Sequence, residues 1–112
     1  MTIWIENAES KGTSALLVEV LTLCKQGESV QFLVPAGLGG AVVQRLRVTL
    51  SRSRKRNLAR GRRVDGFTLH HSIYPYSNQG KRHDCVVMWT RKYLSHRARE
   101  LLDDTIEGRI NV

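Results

Sequence analysis

Residues 29–50 read Ser29-Val30-Gln31-Phe32-Leu33-Val34-Pro35-Ala36-Gly37-Leu38-Gly39-Gly40-Ala41-Val42-Val43-Gln44-Arg45-Leu46-Arg47-Val48-Thr49-Leu50. The apolar period changes within this stretch. Val30, Phe32 and Val34 share one face at a period of two, the mark of a strand, and Pro35 ends it. After the glycine-rich turn, Val42, Val43, Leu46 and Leu50 recur at helical spacing, so a helix begins near Ala41. A half-buried strand feeding an amphipathic helix sets the scheme for the rest of the chain.

Working outward, Thr2-Ile3-Trp4-Ile5 is β-branched and aromatic and reads as a strand. Thr13 or Ser14 is the expected cap of a helix reaching about Gln26 and stopped by Gly27. Its stripe is Leu16, Leu17, Val20, Leu21 and Cys24. Residues 66–74 alternate Phe67, Leu69, His71 and Ile73 against polar neighbours and predict a third strand. Residues 84–90 are apolar on both sides, which predicts a strand that is central or covered on both faces. Between them, 75–83 reads as a hairpin loop too long for a two-residue turn. A last helix is expected over 95–107, burying Leu94, Ala98, Leu101, Leu102 and Ile106. The order βαβαββ(α) predicts an α+β fold, with residues 1–112 as a single domain.

The chain has 112 residues, 18 Lys plus Arg against 10 Asp plus Glu, and a formal charge of +8. No window approaches the ~18 consecutive apolar residues of a membrane span. The N-terminal residues lack the basic start and apolar run of a signal peptide. Two cysteines, Cys24 and Cys85, make no disulfide framework and suit a reducing cytoplasm or nucleoid.

The charge is concentrated. Residues 45–63 hold nine of the 18 bases: Arg45, Arg47, Arg52, Arg54, Lys55, Arg56, Arg60, Arg62 and Arg63. No acid lies between Glu28 and Asp65. The remainder of the chain is nearly neutral. Guanidinium groups suit bidentate contact with phosphate, so the segment points to a polyanion. On a wheel at about 100° per residue, Arg45, Arg52, Arg56 and Arg63 share a sector about 40° wide. The inward stripe ends near Leu50, because its continuation reaches Ser53 and Asn57. Beyond that point the helix either projects as an arginine rod or breaks into a basic loop by Gly61.

Other constellations are weaker. Gly37-Leu38-Gly39 begins a dinucleotide fingerprint, but Val42 stands at the third glycine position and no acidic strand end follows. The amides of this turn could still hold one phosphate oxygen. His70 and His71, adjacent in a strand, point to opposite faces, and no CxxC or HxxxH spacing accompanies His83, Asp84 and Cys85. No metal, no cofactor and no catalytic residues are expected, so the chain is read as a non-enzyme. In the arm 74–83, Tyr74 and Tyr76 can stack on bases, Asn78 and Gln79 can read base edges or groove acceptors, and Lys81, Arg82 and His83 can meet phosphate. Arg91 and Lys92 extend the basic surface.

The element order resembles that of the Alba family of chromatin and RNA-binding proteins, and of the C-terminal domain of translation initiation factor three. The similarity spans residues 2–91, with echoes in Leu21-Thr22-Leu23-Cys24-Lys25-Gln26-Gly27, in the strand after it and in Ala41-Val42-Val43. It implies a mixed four-stranded sheet with two helices on one face, a possible homodimer, and a hairpin at residues 77–82 that enters a minor groove. The helix-two arginines and the last helix depart from that pattern. The expectation is a small basic protein contacting the backbone of DNA or RNA. The alternative is a phage- or mobile-element-type protein that inhibits or adapts a nucleic-acid-processing complex by protein contact. A metal-dependent nuclease using Asp84 comes third.

Overall fold

The computed structural model describes residues 2–25, 27–62 and 66–92. The last helix expected over 95–107, together with Arg63 and Asp65, lies outside the described residues. The elements are β1 (Thr2–Trp4), a short 3-10 turn (Ala8–Ser10), α1 (Thr13–Cys24), β2 (Ser29–Pro35), α2 (Gly39–Ala59), β3 (Phe67–Asn78) and β4 (Lys81–Lys92). They form an α+β fold around one mixed sheet of order β1-β2-β4-β3. β1 runs parallel to β2, and β4 is antiparallel to both β2 and β3. The apolar strand β4 is central, as its sequence demands.

The two helices cover one face. Val30, Phe32 and Val34 from β2, Val86 and Met88 from β4, and Leu69 from β3 are buried with Leu16, Leu17 and Val20 of α1 and Val43, Leu46 and Leu50 of α2. Phe32, Leu46 and Met88 are fully enclosed, and burial of each such side chain contributes about 1.5–3 kcal/mol. The opposite face carries Leu33, Val87 and Trp89, all half-buried. Among the described residues no helix lies on it.

Three boundaries differ from the sequence reading, each for a local reason. Gly12, in extended conformation, precedes α1 at the cap position, and neither Thr13 nor Ser14 caps it. α2 starts at Gly39 rather than Ala41 and continues as one helix to Ala59. Its end is chemical: the Gly61 amide donates to Leu58 O at 3.0 Å and the Arg62 amide to Asn57 O at 2.8 Å, while Gly61 adopts φ +69°. That is the Schellman pairing, which needs a left-handed residue where Gly61 stands.

The hairpin is the third correction. The ladder between β3 and β4 runs without interruption to Asn78↔Lys81. Only Gln79 and Gly80 turn, at φ 51° and 77°, the left-handed pair of a type I′ turn. Pro75 marks no break because β3 is an edge strand, where a missing N–H is tolerated. The arm is a two-stranded ribbon rather than a long loop.

Candidate nucleic-acid interface

Past Leu50, α2 makes more than two further turns with no buried residue. Arg45, Arg52 and Arg56 are exposed along this outward side, spread over about 16 Å at 1.5 Å per residue. Lys55, Arg60 and Arg62 are exposed as well. Among the described residues the ion pair that forms is Lys11 with Glu19, so none of these six bases is neutralised by a carboxylate. Arg47 and Arg54 behave differently. Arg47 donates to Leu69 O at 2.8 Å and meets His71 Nδ1 at 2.8 Å. Arg54 donates to Phe67 O at 2.8 Å and lies 5.0 Å over the Phe67 ring. The two carbonyls are two residues apart and face the same free edge of β3. These two arginines therefore satisfy an exposed sheet edge, which is prone to pairing with other chains when left bare.

The glycine turn holds an anion already. Asp84 Oδ2 accepts from the Gly37 amide at 3.1 Å and the Gly39 amide at 2.9 Å. The carboxylate caps α2 from across the sheet, in the place of the phosphate oxygen considered from sequence. Gly37 has φ +84°, and a Cβ on Gly39 would sit 2.9 Å from both Asp84 Oδ2 and Ile73 Cγ2. Both glycines thus serve the cap. Among the described residues no three His, Cys, Asp or Glu side chains group to hold a metal ion.

The predicted binding residues do not form one patch. α2 runs from beside Asp84 towards Phe67, so its later arginines approach the end of the sheet where Arg91 and Lys92 are exposed. Lys81 and Arg82, also exposed, sit at the hairpin tip. Eleven residue steps along β4, about 36 Å, separate Lys81 from Lys92. Tyr74 and Tyr76 are 54% and 39% exposed and lie on the sheet face away from the helices. There Trp4 of β1 meets Tyr76 edge-on, ring centroids 5.9 Å apart at 65°. Trp89 stacks on His70 at 5.9 Å. Sequence reading gave Trp4 no place beside Tyr76. It is joined to Tyr76 only by the sheet order, and nothing within either segment signals it.

His70 and His71 do point to opposite faces, His71 towards Arg47. Partial burial, then the Arg47 charge and then His70 hold the His71 pKa below its ordinary 6.5. A guanidinium only donates, so Nδ1 must stay unprotonated to keep the contact. Burial pushes both thiols, Cys24 and Cys85, above the usual range, which makes them poor nucleophiles. Stability should accordingly fall as pH descends below about 6.5: the unfolded chain takes up the His71 proton there and the folded chain resists it. The fall should level off once folded His71 titrates. Melting temperatures of wild type and His71→Gln between pH 8 and 5 check this, and the variant should lose that part of the slope. Parallel curves would exclude it.

The chain matches no protein-family model, no curated protein sequence and no solved structure.

Proposed function

We propose that this protein binds DNA or RNA through the sugar–phosphate backbone, without catalysis of its own, using the exposed face of α2 as the main contact. One observation carries the reading. The helix outlasts its own core, and Arg45 beside the core with Arg52, Lys55 and Arg56 on the extension are exposed and free of carboxylates among the described residues. Like charges at this density oppose an isolated helix, and a polyanion relieves the repulsion. Arg60 and Arg62 extend the contact. The ribbon of Lys81 and Arg82 forms a second contact, in the manner of the Alba hairpin that it resembles.

Backbone binding releases counterions, so the logarithm of affinity should fall with the logarithm of salt at a slope near −0.9 per duplex contact. With six contacts, raising salt from about 50 to 200 mM should weaken binding about a thousandfold. Filter binding of duplex and single-stranded DNA and RNA at three salt concentrations measures this. A slope near zero, or partners retained from lysate after nuclease treatment, would replace this reading with docking on an acidic protein surface.

A further inference from the structure

We infer that the cleft beside the Trp4–Tyr76 pair takes one unpaired nucleobase of the bound strand. This deepens the reading above and rests on it. The cleft, about 630 Å³, opens on the sheet face that α1 and α2 leave uncovered. The two rings stand together in its lining, 46% and 39% exposed, in edge-to-face contact that leaves ring surface available for stacking. Leu33 adds an apolar side chain, and Asn78 and His83 bring polar groups from the hairpin. An amide that both donates and accepts, beside aromatic faces, is the chemistry that holds a splayed base.

The charge of the lining favours a base over a phosphate. Glu6 and Glu9 also line the cleft and repel a phosphate, while their carboxylates can accept from a base amino group. A base paired and stacked inside a duplex offers neither its ring faces nor its pairing edge. The cleft therefore selects single-stranded segments or loops, while the arginine face of α2 takes phosphates of either form.

The test uses the full chain carrying Trp89→Phe, which leaves Trp4 as the sole tryptophan of the original two. It is titrated with a single-stranded deoxyadenylate 12-mer and with an abasic strand of the same length. The base-bearing strand should quench Trp4 emission, and the abasic strand should bind without quenching. Tyr76→Ala should weaken the base-bearing strand about tenfold and leave abasic affinity and its salt slope unchanged. Tyr76→Phe should retain binding. Equal quenching by both strands, or an unchanged affinity in Tyr76→Ala, would overturn the inference while the backbone reading stands. If neither strand binds at any salt concentration, the backbone reading fails first and this one with it.

Discussion

Asp84→Ala is expected to lower stability by about 2–4 kcal/mol, a large part of the 5–15 kcal/mol typical of a domain. The carboxylate accepts from two amides at the start of α2. Hydrogen bonds to a charged group contribute about 1.5–3 kcal/mol each when shielded and less when wet. The Gly39 bond is partly buried and the Gly37 bond exposed, which brings the two together to about 2–3 kcal/mol, below the value of two shielded bonds. A negative charge at a helix N-terminus contributes a further ~0.3–1 kcal/mol. Asp84→Asn keeps an acceptor oxygen without the charge and should cost about half as much. Gly39→Ala should cost about 1–3 kcal/mol by overpacking, because its Cβ meets the same Oδ2 and Ile73 Cγ2. The two changes share an atom, so the double variant Gly39→Ala/Asp84→Ala should lose less than the separate losses combined. Urea unfolding with an unchanged m-value measures all four. A loss under about 0.5 kcal/mol for Asp84→Ala, the range of an ordinary surface change, would show that the glycine turn closes without its carboxylate.

What was legible in the sequence was local. The strand–helix unit 29–50 announced itself because Val30, Phe32 and Val34 and then Val43, Leu46 and Leu50 face one core, each set through a single element's period. The end of burial at Leu50 followed from the same stripe. The cap on α2 did not, because its acceptor stands 45 residues along the chain from Gly39. The hairpin was mistaken because Pro75 and a polar composition look like a loop, while on an edge strand they are compatible with a ladder. The arginines could have been divided further. On the wheel, Arg47 and Arg54 lie about half a turn from the row of Arg45, Arg52 and Arg56. What the sequence did not reveal is that β3 would pass along their side and claim them. Pairing across a sheet is set by tertiary order, and the Trp4–Tyr76 corner is legible only once that order is known.

Changing Arg45, Arg52 and Arg56 together to Gln is expected to flatten the salt slope for duplex DNA by about 2.7, at 0.9 per phosphate contact. At about 0.1 M salt that removes roughly 500-fold in affinity. The loss should be even across sequences, because backbone contacts carry no base information. Folding should be unaffected or improved by tenths of a kcal/mol, since the three side chains are exposed and their mutual repulsion is removed. The control is the pair Arg47→Gln and Arg54→Gln, which removes the same kind of charge from the same helix. Those guanidinium groups hold Leu69 O, His71 and Phe67 O, so their loss should cost about 1–3 kcal/mol of stability and leave the salt slope near that of wild type. Binding isotherms at three salt concentrations, set beside urea melts of the same samples, separate the two sets. If the triple variant loses less than about fivefold, the exposed row is solvation. If the control pair flattens the slope as much per charge removed as the row does, net charge alone drives association, and the orientation of α2 on the sheet has no part in it.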